Sequence, residues 1–435
     1  MSYYKIQGGY KLSGSIEVNS PKNSAMALLS ASLLNKGKSE FLNFPNLEET
    51  KRIIEVLESI GVKCSWKGTK HLVIEAPKKL KLEKINYESA SKTRTILMFL
   101  GPLVNQFKSF KLPIATGCKL GSRTISPYIY ALENFGVEMK EQGKYYQVKK
   151  SKANLNREII MYESGDTATA CVMMAAALTN QTIKIKYASA NYQIQELGFY
   201  LQKLGVKING LGTSTLEIKG LKQINKNVKY TLAEDPIEAM FFLSLAATTN
   251  SSLLIKGCPI DFLDLELLKL KKMGFNYEIK KKYLAGNKKT NLVDLQTKPS
   301  KLIALKENIH AKPYPGINID NLPFFVPIAT QAKGTTLIFD WVYENRAIYY
   351  TELTKLGAKV NLSDPHRAFV EGPTVLKGAE VMCPPALRPS SILVIAMLAA
   401  KGESILRNTY NIARGFEDLH ERLRKIGAKI EIIND

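Results

Sequence analysis

Six basic residues stand where the chain is expected to start a helix: Lys22, Arg94, Arg123, Arg346, Arg388 and Arg414. Five of the six are arginine, in a chain that carries only eleven arginines among its 61 basic side chains. Where charge alone matters, a lysine-rich composition supplies lysine. An arginine kept at such a place points to its planar fork, which grips a carboxylate or phosphate through two parallel bonds. For any one of them the alternative is an ordinary surface ion pair; their shared position is what distinguishes the set. Helix N-termini present free N–H groups and the positive end of the helix dipole, so they favour anions. Gathered round one cleft, six such cations would hold a small, multiply charged anion.

Two further residue types could act beside them. Cys118 lies in a polar, glycine-punctuated loop from Leu112 to Arg123 that leads into a helix ending at Phe135. Positive neighbours, Lys119 in the same loop and Arg123 at its end, favour the thiolate, so this thiol is expected to be reactive. Cys64, Cys171, Cys258 and Cys383 sit in apolar segments or beside proline and read as packing. Acids open two of the helices, Asp235 in Glu234-Asp-Pro-Ile-Glu238 and Asp320 in Ile319-Asp-Asn-Leu-Pro323. For Asp235 the plain reading is a helix cap. For Asp320 the cationic surroundings favour a general base.

The elements that must carry these residues are written as a repeat. Leu57-Glu-Ser-Ile-Gly-Val-Lys63 returns at Leu132, Leu201, Leu270, Leu353 and Leu423, each time with glycine four residues later. The spacing is roughly 70 residues, the mark of a structural repeat. Each phrase reads as the last turn of an amphipathic helix, a glycine stop and a strand. Upstream of it in every repeat comes an apolar helix, a turn and another strand, as in Met26–Leu34 followed by Phe41–Phe44. These helices are apolar nearly all round and should be buried, with the charged-faced helices covering them. One repeat is too small to close a core; three make a domain and six make two. The expected class is α/β, built of α+β repeats in two domains: 22–229, and 1–21 with 230–435.

Composition narrows the functions open to such a chain. With 435 residues and a 45% hydrophobic share, it is long enough for two domains and not disordered. The longest apolar runs, such as Ala239–Ala247 and Ile392–Ala400, are far shorter than the ~18 residues of a membrane span, and Met1–Lys5 resembles no signal peptide. A cytoplasmic location is expected, without membrane partners. Five cysteines without a Cys-x-x-Cys pair, and four dispersed histidines, offer neither a disulfide framework nor a metal site. No Walker-type phosphate loop is present. The net charge of +22 fits anionic small substrates or simply a lysine-rich surface, since the basic residues form no arm of the kind that grips nucleic acid.

The repeat plan, together with Pro21-Lys-Asn-Ser24, the Gly117-Cys118 to Arg123 loop, Tyr343-Glu-Asn-Arg346, Leu387-Arg388 and Arg414-Gly415, resembles the enolpyruvyl transferases. The likeness runs from about Gln7 to Ile430 and is nearest to the branch acting on UDP-N-acetylglucosamine. It implies a two-domain inside-out α/β barrel, three repeats per domain, with the first strand joining the C-terminal domain. It also implies the first committed step of peptidoglycan precursor synthesis, with phosphoenolpyruvate and a uridine nucleotide sugar as the only partners. No cofactor or metal is implied, and the expected state is a monomer or weak homo-oligomer. Lys22, Arg123 and Arg414 would hold the phosphate of phosphoenolpyruvate, and Arg346 and Arg388 its carboxylate, with Arg94 nearby. Cys118 would protonate the methylene carbon and Asp320 would take the hydroxyl proton. Asn23, Arg94, Ser126, Ser164, Gly165, Asp320, Tyr343 and Asn345 would face the nucleotide sugar. The chain departs from the family at Ala386, Ser126, Asn191 and Gln193, where acids are usual, and near Met161, where lysine is common. These departures leave open another acceptor nucleotide such as UMP, and a catalytically inactive nucleotide-sugar-binding or RNA-binding homologue. Repeats of this kind also occur in RNA 3′-phosphate cyclases, which would need a nucleotide-accepting histidine that does not stand out here.

Overall fold

The computed structural model describes residues 2–115, 124–151 and 155–434. They form two lobes, one of residues 20–233 and one of residues 2–19 with 234–434. The strand Val228–Thr231 runs parallel to Lys38–Leu42 and so belongs to the first lobe. The chain therefore changes lobe after Ala233, a few residues beyond Tyr230.

The recurring Leu-x-x-x-Gly phrase has a local physical cause. Gly61, Gly136, Gly205, Gly274, Gly357 and Gly427 all have φ between 72° and 101°, the left-handed region that costs other residues a Cβ clash. In five of the six the N–H of the residue after the glycine then reaches back to the carbonyl of the phrase's leucine. Val62 bonds Leu57 at 3.0 Å, Val206 bonds Leu201 at 3.1 Å, and Phe275 bonds Leu270 at 2.9 Å. Ala358 to Leu353 and Ala428 to Leu423 repeat the bond. This is the Schellman stop, whose orphan carbonyls are satisfied while the leucine packs on the apolar residue past the glycine. The phrase is thus conserved along the chain by hydrogen bonding and burial together.

The inner helices are buried as their composition requires. Every residue of Pro236–Thr248 is buried, as are the positions from Arg388 to Leu398 in Leu387–Ala399. In the first lobe Lys22–Ser32 and Asp166–Ala177 fill the same role. The second and fifth repeats depart from the expected long helix. There the inner segment is a 3-10 turn, Arg94–Phe99 or Leu322–Phe324, followed by a short helix, Leu100–Leu103 or Phe325–Ala329. Pro102, Pro323 and Pro327 remove backbone donors from these segments and limit their length.

Among the described residues each lobe contains three small sheets, one per repeat. In the second lobe Ser2–Gly8 lies between Gly402–Arg407 and Lys429–Asn434, antiparallel to both. Ser13–Glu17 pairs in parallel with Ser252–Pro259. Each lobe thus completes a sheet with a strand that precedes the other lobe's first helix in sequence.

The glycine stop can be tested where nothing else interferes. A Cβ on Gly427 would meet no atom within 4 Å, yet φ there is +90°. Gly427→Ala should lower stability by about 1–2 kcal/mol through backbone strain alone. Gly37→Ala should cost more, because its Cβ would lie 2.5 Å from the Lys226 carbonyl oxygen at an ordinary φ. Urea denaturation would rank the two, and a neutral Gly427→Ala would remove the strain argument.

Candidate active site

In the second lobe the end of one strand, a tight turn and the start of a buried helix bring a charged cluster together. Asp340 follows the strand Gly334–Phe339 and is fully buried. Its carboxylate accepts from Arg346 Nε at 2.6 Å and Nη2 at 2.7 Å, and from the Tyr350 hydroxyl at 2.5 Å. Arg346 is itself 1% exposed, with its guanidinium 4.5 Å from the Tyr343 ring centroid. The edge left over, Nη1, points to Asp320 at 4.0 Å. Arg388, on the second residue of Leu387–Ala399, donates from Nη2 to Asp320 at 3.1 Å and lies 5.9 Å from the Phe416 ring. Asp320 is partly open to solvent between these two cations, and its backbone N–H is held by Asn318 at 2.8 Å.

Asp235 completes the cluster from below. It caps Pro236–Thr248, accepting from the Ile237 N–H at 2.8 Å. Burial pushes its carboxyl up to about 7; Arg388 opposes the rise, while Glu238 and Asp320 add to it. Ala386 caps Leu387–Ala399 with no side-chain acceptor, so no cap side chain takes the N–H groups beside Arg388.

The first lobe holds the other sequence-predicted residues. Lys22 is the first residue of Lys22–Ser32, whose cap, Pro21, offers no side-chain acceptor. Asn23 donates to the Tyr192 hydroxyl at 3.1 Å. Arg94 opens a 3-10 turn and donates to the Thr124 carbonyl at 3.0 Å, next to Ser126, whose hydroxyl pairs with that of Thr124 at 2.7 Å. Ser164 donates to Ala188 at 3.4 Å, and Gly165 caps Asp166–Ala177. Asp166 takes three neutral donors: Ser189 at 2.5 Å, Asn191 at 3.1 Å and Gln193 at 2.6 Å.

Several expectations change on this geometry. Arg414 is the C-cap of the single turn Tyr410–Ala413, not a helix start. Gly415, the next residue, packs closely on the neighbouring helix start, since a Cβ there would lie 2.2 Å from Leu387. Two donors of the Arg346 fork go to Asp340, which leaves Nη1 toward Asp320. Tyr343 flanks it, whereas Asn345 is exposed in the turn before Ala347–Leu356. Asp340, Tyr350 and Asp166 were not singled out from sequence. Asp340 ends a strand just upstream of a marked arginine, and Asp166 directly follows a marked glycine, which were the available signals. Cys118 and Arg123 lie outside the described residues. Among the described residues no group of His, Cys, Asp and Glu is placed to hold a metal ion, and no helix is long and apolar enough to cross a membrane.

Two repeat-built lobes, with cations at inner helix starts and a carboxylate set between two of them, fit a transferase of anionic groups. Residues 6–423 match the model of the family described as EPSP synthase (3-phosphoshikimate 1-carboxyvinyltransferase), and the chain belongs to that family. It is an enolpyruvyl (1-carboxyvinyl) transferase. Among curated relatives it is 33% identical to the UDP-N-acetylglucosamine 1-carboxyvinyltransferase of Treponema denticola and 32% to that of Helicobacter pylori, covering 99% of each chain in both cases. The fold matches the enolpyruvyl transferase NikO from Streptomyces tendae, with a TM-score of 0.84 at 22% identity over 99% of both chains. It also matches EPSP synthase from Acinetobacter baumannii, with a TM-score of 0.76 at 15% identity over the full length of both.

Two measurements probe this site. Burial pushes the thiols of Cys64 and Cys171 up to about 12 and that of Cys383 to about 11, and raises Cys258 as well. Thiolate is the nucleophile, so these four should resist alkylation near neutral pH. Fosfomycin, a small anionic epoxide, should label the native protein once, at Cys118, with phosphoenolpyruvate protecting; peptide mapping that finds another cysteine would exclude Cys118 as the reactive thiol.

The second concerns Asp235. An acid raised on folding binds more protons folded than unfolded between about pH 4 and 7, so its contribution to stability falls as pH rises through that window. Asp235→Asn should flatten that slope and, above pH 7, recover stability on the order of a few kcal/mol. Denaturation midpoints measured from pH 4 to 8 would show it, and parallel curves for the two proteins would refute it.

Proposed function

We propose that this chain transfers the enolpyruvyl group of phosphoenolpyruvate to the 3′-hydroxyl of UDP-N-acetylglucosamine, releasing phosphate in the cytoplasm, as the first committed step of peptidoglycan precursor synthesis. The observation that carries the chemistry is Asp320, held 3.1 Å from Arg388 and 4.0 Å from Arg346. A carboxylate oxygen left partly open to solvent at this place can accept the proton of a hydroxyl bound beside it. The full-length likeness to curated UDP-N-acetylglucosamine 1-carboxyvinyltransferases supports the choice of acceptor.

In this reading Asp320 takes the proton of the acceptor hydroxyl as its oxygen bonds to C2 of phosphoenolpyruvate. Cys118 gives a proton to C3, so the double bond becomes a methyl group and C2 becomes tetrahedral. Loss of a proton from that methyl group then expels phosphate and restores the double bond. Lys22, Arg123 and Arg414 neutralise the departing phosphate, and Arg388 holds the carboxylate. Arg346, pinned by Asp340, keeps Asp320 in place. Asn23, Arg94, Ser126, Ser164, Gly165, Tyr343 and Asn345 form the acceptor side, with Gly165 and Lys22 at helix starts suited to anionic groups. A second acceptor, another uridine nucleotide such as UMP, is favoured by the neutral amides Asn191 and Gln193, which are spent on Asp166.

Phosphate release from phosphoenolpyruvate, measured with UDP-N-acetylglucosamine or UMP, separates the two acceptors. Release that depends on neither would sink the transferase reading. Arg388→Lys should lower kcat/KM by about 1.5–3 kcal/mol, roughly 10- to 150-fold, since a point charge cannot replace two parallel bonds. Lys207→Ala, on an exposed strand position, should leave it unchanged. Equal activity of the two variants would remove Arg388 from the site.

A further inference from the structure

The fourth repeat carries a feature that its counterparts lack. Its hairpin, Asn276–Leu284 with Asn291–Lys298, has strands of 9 and 8 residues. The equivalent hairpins elsewhere are shorter: 4 and 5 residues in Lys63–Trp66 with His71–Glu75, and 4 and 6 in Lys359–Leu362 with Arg367–Gly372. The repeat fold therefore does not require this length. The extension is rigidly built. Asn287 Oδ1 accepts from the N–H groups of Lys289 at 2.9 Å and Thr290 at 3.0 Å, and Ala285 N–H bonds the Thr290 carbonyl at 2.9 Å.

Three observations on this hairpin converge. Asn276–Leu284 is the edge strand of its sheet, so its outer backbone groups have no strand partner among the described residues. Lys281, Lys282, Lys288 and Lys289 are exposed and make no ion pair among the described residues, whereas neighbouring Lys280 and Lys298 are both paired with Glu278. Between the hairpin and the turn Ile260–Phe262 runs an open groove of about 430 Å³ with Ile260, Ile279, Leu284 and Leu292 among its walls. Ile279 and Leu284 remain 38% and 50% exposed. Lysines on an edge strand ordinarily guard it against pairing with other chains. A guard needs charge alone; a groove with exposed apolar walls works against it. The one carboxylate in the groove, Asp261, is already bonded by Asn291 at 2.9 Å.

We propose that this hairpin docks an acidic peptide segment of a partner protein, extended along the edge strand, with an apolar side chain in the groove and carboxylates facing the four lysines. Strand addition would supply backbone bonds, and the alternating pocket and lysines would supply selectivity.

The test uses the full chain and a short fluorescent peptide alternating glutamate with leucine, followed by anisotropy at physiological salt. The wild type should bind it, and raised salt should weaken the complex. A Lys282→Glu, Lys288→Glu, Lys289→Glu variant should lose at least tenfold in affinity. Leu284→Ser, at a half-exposed position that asks little of the fold, should lose several-fold with its charge unchanged. Phosphate release should be unaltered in both variants, which shows that they are folded. Three outcomes overturn the proposal. The peptide fails to bind, and the lysines only guard the edge. Leu284→Ser binds as the wild type does, and the groove takes no anchor. An oligouridylate competes as well as the peptide, and the surface is a general polyanion patch.

Discussion

The charged cluster of the second lobe is built round one buried ion pair. Arg346 and Asp340 are 1% and 0% exposed and share two bonds of 2.6 and 2.7 Å. Taking two charges out of water costs several kcal/mol per ion, and only good geometry with further hydrogen bonds offsets it. Here the Tyr350 hydroxyl supplies the further bond to Asp340, and the Tyr343 ring covers the guanidinium. Such a pair adds little net stability, yet loss of either partner would strand a buried charge at a cost of about 3–5 kcal/mol. What it secures is position. Arg346 can reach Asp320 only because its other edge is fixed, and Asp320 in turn meets Arg388.

The repeat architecture explains why such pairs can be afforded at these places. Inner helices such as Pro236–Thr248 and Leu387–Ala399 are buried along their length, which stabilises by roughly 1.5–3 kcal/mol for each large apolar side chain. Their starts are then held in place, with first-turn N–H groups that the helix itself cannot pair. Lys22, Arg388 and the Asp235 cap all stand on such starts. The Schellman stops act at the opposite ends of the covering helices. Leucine and glycine there are spent on ending a helix, not on chemistry, which is why the most repeated phrase in the chain contributes no functional residue.

That division also decides what could be read from sequence. The glycine stops were legible because left-handed backbone demands glycine and a Schellman bond demands an apolar residue beyond it. Arg388 stood out because an arginine at the start of an otherwise apolar helix calls for an anionic partner, and in the fold it meets Asp320. Asp340 was not: an acid at a strand end looks like any turn residue until the fold folds Arg346 back onto it. Asp166 was hidden similarly, since its three donors come from a segment more than twenty residues away. Arg414 was misplaced because a one-turn helix ending at a glycine leaves no periodicity to read. The short inner segments of the second and fifth repeats were missed because apolar composition outweighed the prolines within them.

The charges of the second-lobe cluster nearly cancel before any substrate arrives. Arg346 and Arg388 are matched by Asp340 and Asp320, and Asp235, raised to about 7, is only partly ionised near neutrality. An anion that engages Arg388 must therefore compete with Asp320 for it. In the proposed reaction that competition is productive. Drawing Arg388 away frees the Asp320 oxygen that Arg388 now holds and leaves Arg346 as its cationic neighbour. Binding of the donor's carboxylate would thus uncover an Asp320 oxygen at the moment the acceptor hydroxyl must lose its proton, while Arg346, held by Asp340, keeps the carboxylate from following Arg388.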